Sequence, residues 1–440
     1  MENDIINNIL DWCFKNTNIL EAKDEENNGK SFFHFASENG YIPVVAKLLT
    51  KDIDVNLENN IKRTPLHLAS EKGQTAVAEL LLKNGAKVDY QANLKFTPLC
   101  LASYYGHEQV AKLLIKNGAN VHQEYHPKYT ILHEASMKGF LEIVKLLIEN
   151  GAQVNCRNKN NQTPLHLASF KGHANVVDLL IKNGADLRIT DKDGFTPLHV
   201  ASEKGYEKVV KILIQNGANV NGATYLGATP LQYSAQNGHF RITEMLLVHD
   251  ANVNCQMKNS RITPLHSASK NGYSEIAKLL ILSGADVNCT NSRNETSLHL
   301  ASEYASIEVA KILLEHNICL TQKNRDGKTA LEIAKDKNQK KIYRLIYEKM
   351  VSALSTSEDK IEDVEEHQEI KRTIFNKFEY EYSPEQKNCV VCYDPRNGTF
   401  VLQPCGHAKT CETCSLKIVE ESKICPMCRC HVDKYQKIFD

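Results

Sequence analysis

Apolar and polar positions in this chain recur in a fixed order, and one unit around Thr64 shows the pattern. Thr64 can cap a helix, and Pro65 suits the first helical position, where no amide donor is missed. Leu66 and Ala69 fall on the inward face of that short helix, and Gly73 ends it in a left-handed turn. Val77, Leu80 and Leu81 follow at the spacing of a second helix. Gly85 closes that helix, and Val88 anchors the crossing to the next unit.

The same order returns at Ser31, Thr64, Thr97, Thr130, Thr163, Thr196, Thr229, Thr263, Thr296 and Thr329. Every step is 33 residues except the 34 from Thr229 to Thr263, which predicts a longer loop around Gln256 to Arg261. A single unit cannot bury its apolar face, so the units must stack. The period and the Thr-Pro-Leu-His tetrapeptide resemble the ankyrin repeat. The resemblance covers about three quarters of the chain and implies a solenoid of helix-turn-helix units with β-turn fingers.

The ends differ, as capping requires. Ile5, Ile6, Ile9, Leu10 and Trp12 predict a capping helix over residues 4–15, within a lead-in of 1–30. The array is expected over 31–349, about ten repeats, closing on a charged helix, Lys340 to Lys349. Ala305 stands where other units have the helix-ending glycine, which leaves that turn open. His34, His67, His133, His166, His199, His266 and His299 sit at one fixed point per unit. Cys100, Gln232 and Glu332 replace them elsewhere, against one shared chemical role, and the resemblance makes the histidine a hydrogen-bonding link between repeats.

Lysine plus arginine and aspartate plus glutamate are both 53, so no global charge draws the chain to nucleic acid or membrane. No run of the length of a membrane span is present, and Met-Glu-Asn-Asp does not read as a secretory signal. Cys13, Cys100, Cys156, Cys255, Cys289 and Cys319 are scattered singly, which predicts free thiols in the cytoplasm or nucleus.

Ankyrin stacks bind partners on finger tips and first helices, so the resemblance directs attention to one position before each anchor and to the seventh and eighth after it. In the middle these are Phe96, Tyr104, Tyr105, Tyr129, Met137, Phe170 and Phe195. To either side they become polar, including Arg63, Glu71, Lys72, Glu203 and Lys204. An aromatic centre with a polar rim predicts a protein partner, and Lys138 and Lys171 suit an acidic one or a solvated face equally.

Residues 350–387 lose the repeat. Ser355 to Glu369 is acidic and poor in apolar residues, as a disordered tether would be. Ile370, Ile374, Phe375 and Phe378 then predict a short helix ending at Ser383-Pro384.

Residues 388–440 carry Cys389, Cys392, Cys405, His407, Cys411, Cys414, Cys425 and Cys428, in four close pairs. Each pair is spaced to chelate one ion, and zinc takes four such ligands tetrahedrally, so two Zn(2+) per chain are expected, structural because no position stays open for water. This spacing resembles the RING finger, an α+β zinc module, and most of all that of inhibitor-of-apoptosis proteins and mind bomb ligases. The resemblance interleaves the pairs: Cys389, Cys392, Cys411 and Cys414 on one zinc, Cys405, His407, Cys425 and Cys428 on the other. It makes Val391, Ile418 and Pro426 the apolar contacts for a ubiquitin-conjugating enzyme and Arg429 the residue that clamps ubiquitin. The implied activity is ubiquitin ligation without a covalent intermediate on this chain; a non-catalytic ankyrin scaffold with a zinc interaction module is the alternative. In that family the tail dimerises, which here points to Tyr435, Ile438 and Phe439.

Overall fold

Thr163 shows why each unit begins where it does. Its backbone is extended (φ −94°, ψ 166°), and its Oγ1 accepts a hydrogen bond from the His166 amide at 3.4 Å. Its own amide donates to His166 Nδ1 at 3.2 Å, so two amides that a helix start strands are satisfied together. The helix leaves through Gly172 at φ +77°, where a Cβ would also lie 2.5 Å from the Tyr206 ring. Left-handed geometry and ring contact both demand glycine.

The computed structural model describes residues 24–51, 53–126, 128–355, 400–403, 407–410 and 434–437. The predicted capping helix at residues 4–15 lies outside them, as does most of 356–440. Residues 1–355 and 356–440 are two separate compact units.

In the first unit, helix pairs follow one another from Phe32–Glu38 with Ile42–Leu49 to Ala330–Asp336 with Lys340–Ser355. First helices pack on first helices of neighbouring repeats and second helices on second helices. Leu66, Ala69, Val77, Ala78 and Leu81 are almost fully buried, and their equivalents continue one hydrophobic core along the array. The last helix runs through residue 350, where the linker was expected to begin, to Ser355. Ala305 adopts the left-handed turn (φ +61°) despite its Cβ. The extra residue of the 34-residue step sits in a finger, where Met257 N–H donates to Ile262 O and Arg261 N–H to Met257 O.

Five fingers are built on an asparagine or aspartate five residues before the anchor. Asn158 Oδ1 accepts from the amides of Asn160 and Gln162, at 2.8 and 3.0 Å. Asn59, Asp191, Asn291 and Asn324 repeat both bonds. Ala92 and Tyr125 hold that place in two consecutive fingers, and the backbone changes there. Leu94 and Lys95 are both left-handed, φ 61° and 64°. The next finger is a small hairpin of β1 (Glu124–His126) and β2 (Tyr129–Thr130).

The second unit contains a three-stranded antiparallel sheet with β3 (Phe400–Gln403) central between β4 (His407–Thr410) and β5 (Lys434–Lys437).

Candidate functional site

The histidine series resolves into struts. Nε2 of His67, His133 and His166 donates to the carbonyls of Phe96, Gln162 and Phe195, at 3.1, 3.0 and 3.0 Å, each the last residue of the next finger. Nδ1 is turned to the anchor amide and so accepts. A second proton would have to face that amide in a buried site. Burial lowers the pKa of His67, His133 and His199 to about 4 and depresses His166, His266 and His299. Gln232 makes the same reach to the Ile262 carbonyl. Glu332, in the last repeat, accepts from its own anchor Thr329. Cys100 accepts from Thr97 Oγ1 at 3.2 Å, and burial pushes its thiol up to about 11. No group of three or more histidine, cysteine or carboxylate side chains suited to a metal occurs among the described residues.

A second series, not singled out in the sequence, also links repeats. His107, His173 and His239 donate from Nε2 to the carbonyls of Glu71, Met137 and Glu203, 36 residues back, at 2.8, 3.0 and 3.0 Å. Their rings cover Gly73, Gly139 and Gly205. The signal was present in the spacing, but a histidine before a second helix has no apolar periodicity to mark it.

The seven candidate binding residues divide by exposure. Tyr104, Tyr105 and Phe170 are exposed; Phe96, Tyr129, Met137 and Phe195 are half-buried. Phe96 packs on Tyr125 at 4.8 Å between ring centroids, Tyr125 on Tyr129 at 5.8 Å, and Tyr129 stacks on His133 at 5.1 Å. Tyr129 O–H points to Met137 Sδ at 3.6 Å, and Tyr104 meets Tyr105 edge-on at 5.0 Å. Phe195 packs separately, on Tyr233 at 5.0 Å. Finger rings therefore rest on first-helix side chains, and the fingers and first helices of the two repeats anchored at Thr97 and Thr130 form one aromatic-rich face.

Tyr125 and Glu134 belong to this face and were not among the candidates. Tyr125 is 7% exposed, and its hydroxyl donates to Glu134 Oε2 at 3.2 Å. Glu134 stands where other repeats have Leu68, Leu101 and Leu167, and it is 5% exposed. Burial, then the Glu134 charge, pushes the phenol pKa of both Tyr125 and Tyr129 upward. Lysine ammonium groups lie over the exposed rings: Lys138 over Tyr104 at 4.2 Å, and Lys171 and Lys204 over Phe170 at 5.2 and 5.1 Å.

In the second unit Val391, Ile418, Pro426, Arg429, Ile438, Phe439 and the seven cysteine ligands lie outside the described residues. His407 opens β4, opposite Leu402, and Tyr435 lies in β5, opposite Leu402 on its other side. Gln403, His407 and Lys434 share one end of the sheet, and Phe400, Thr410 and Lys437 share the other. Seven thiols and one imidazole in the sequence are donors of the kind that zinc takes.

Models of known families agree with both halves. Ankyrin repeats (three copies) match residues 2–92, 33–125, 88–158, 132–224, 221–291 and 265–356, and the chain belongs to the ankyrin-repeat family. The C3HC4-type RING zinc finger matches residues 385–435, so a C-terminal RING finger follows the array. A protein of Ostreid herpesvirus 1 (isolate France) named apoptosis inhibitor ORF106 is 40% identical over 60 residues, 13% of each chain. An E3 ubiquitin-protein ligase of Arabidopsis thaliana, APD2, is 42% identical over 52 residues, 12% of each chain. The match thus spans about an eighth of the length of these relatives. Among solved structures, the human ASB11 ankyrin repeat domain shares 26% identity at a TM-score of 0.47, covering 51% of this chain and 99% of that one. The ankyrin repeat domain of Bcl-3, a member of the IkappaB protein family, shares 26% at 0.44, covering 49% and 97%. No helix among the described residues is long and apolar enough to cross a membrane.

Proposed function

We propose that this chain is a RING-type E3 ubiquitin-protein ligase in a reducing compartment, with a substrate protein held by the ankyrin array. The observation that carries the reading is the RING match at residues 385–435 behind a protein-binding array. The likeness to a named E3 ligase over 52 residues supports it. In this reading the repeats hold the substrate, 356–387 tether, and 388–440 form the RING and tail. Two zinc ions hold the RING in shape and take no part in the transfer. Val391, Ile418 and Pro426 dock the conjugating enzyme, and Arg429 bonds ubiquitin and its carrier together, a task suited to a planar fork of donors. Holding the donor thioester in a near-attack posture lowers the barrier without a nucleophile on this chain. Tyr435, Ile438 and Phe439 would serve a second copy of the RING.

The test is ubiquitination by the purified, zinc-loaded full chain with activating enzyme, ubiquitin and a panel of conjugating enzymes. High-molecular-weight products that vanish with Cys405→Ala are expected. No product from any conjugating enzyme, with zinc content confirmed and the isolated RING equally inactive, overturns the ligase and leaves the scaffold.

A further inference from the structure

We propose that the face formed by the first fingers and the central first helices binds an extended acidic segment of a protein partner, with carboxylates at every third residue. The inference rests on the reading of the array as the substrate-holding part.

Two independent features carry it. Two residues before the anchor, the finger backbone is left-handed, and most repeats answer with glycine or asparagine: Asn161, Gly194, Gly227, Asn294 and Gly327. Three consecutive fingers instead place Lys62, Lys95 and Lys128 there, at φ 60°, 64° and 57°. Arg261, in the finger with the inserted residue, is the one other basic case among the described residues. An L side chain is strained in that region, and retained strain marks a position where the side chain is needed. All three lysines are exposed, with no carboxylate in ion-pair range among the described residues.

The helix side of the same face presents a second column, Lys138, Lys171 and Lys204, one repeat apart and all exposed. The rings of Tyr104 and Phe170 hold these ammonium groups in place. Preorganised cations bind at a lower ordering cost. The carboxylates here are largely engaged: Glu71 with Arg63, Glu203 with Lys204 and Glu134 with Lys138. Their presence between the lysines disfavours a continuous polyphosphate and favours spaced carboxylates.

The spacing follows from packing. Neighbouring first helices pack side by side, at about 8–10 Å between axes. An extended chain advances about 3.3 Å per residue, so roughly three residues span one repeat.

The probe is a short fluorescein-labelled peptide with glutamate at every third position, serine and alanine between, and one leucine. Its anisotropy is titrated with the full chain, beside a peptide of the same composition with the glutamates in one block. The spaced peptide is expected to bind about tenfold more tightly, with that advantage lost in Lys95→Glu and Lys171→Glu. Equal binding of the two peptides, indifference to both reversals, or tighter binding of single-stranded RNA of matched charge overturns the proposal. Panning a randomised peptide library on the same protein separates this from the broader reading. Peptides enriched without acidic bias, and lost with Tyr104→Ala, overturn the acidic class and leave the face as a binding surface.

Discussion

The finger at residues 158–162 and the finger at residues 124–130 do the same job with different chemistry. The first is tied internally by Asn158 and from the repeat before by the His133 strut. The second has Tyr125 in place of the asparagine and Cys100 in place of the histidine, and it is tied by a tyrosine hydroxyl on a buried carboxylate. The regular finger satisfies its own backbone and leaves little for a partner. The exceptional one gives up that arrangement, and in exchange its rings line the face with Phe96, Tyr104 and Met137. Departures from the repeat cluster in consecutive units, which is how a stack of equivalent modules acquires one distinctive surface.

Acid should break the regular part most severely. Histidines with pKa lowered to about 4 stay neutral in the fold, while the unfolded chain protonates near 6.5. Stability is therefore complete above pH 6.5 and falls as pH drops toward 4. At pH 5 the loss is about 2 kcal/mol for each of His67, His133 and His199. Urea unfolding between pH 7.5 and 5 measures it. His133→Gln, copying Gln232, should flatten its share of the profile, and an unchanged profile would sink the strut account.

In the exceptional finger, Tyr125→Phe removes the donor from Glu134 and should cost about 1–3 kcal/mol at neutral pH. Adding Glu134→Leu, the residue type of neighbouring repeats, should recover most of it. Non-recovery in that double-mutant cycle would mean that the pair does not act as a unit.

Much of this was legible beforehand. The 33-residue period, the Thr-Pro start and the glycine stop are local chemistry, so the anchors and helices fell where expected. The histidine link was legible only through the family likeness, because its acceptor lies 29 residues away. The asparagine or aspartate of the fingers recurs in five units but is polar and lies in a turn, so hydrophobic patterning passes over it. The pairing of Tyr125 with Glu134 could not be read at all, since it depends on a hairpin meeting a helix. The RING finger was plain in the spacing of its cysteines and histidine, and the family match at residues 385–435 agrees with it.

Smaller effects sharpen the comparison within the regular repeats. Ala305→Gly relieves a left-handed alanine and should raise stability by about 1 kcal/mol in thermal or urea unfolding; a loss would mean that the methyl group packs. Ser70, Ser103, Ser136, Ser169 and Ser202 are buried with hydroxyls that find no partner, and Ala235 fills the same place in another repeat. Ser169→Ala should thus be neutral or stabilising by up to about 1 kcal/mol, and clear destabilisation would reveal a bound water.

The most direct test of the two-part account is single-turnover discharge of ubiquitin from a pre-charged conjugating enzyme to free lysine, because it needs no substrate. The zinc-loaded full chain should accelerate discharge, Arg429→Ala should weaken that acceleration, and chelation of zinc should abolish it while the helical signal of the array is kept. Discharge at the same rate with and without the zinc-loaded chain, across the panel of conjugating enzymes, would contradict the ligase.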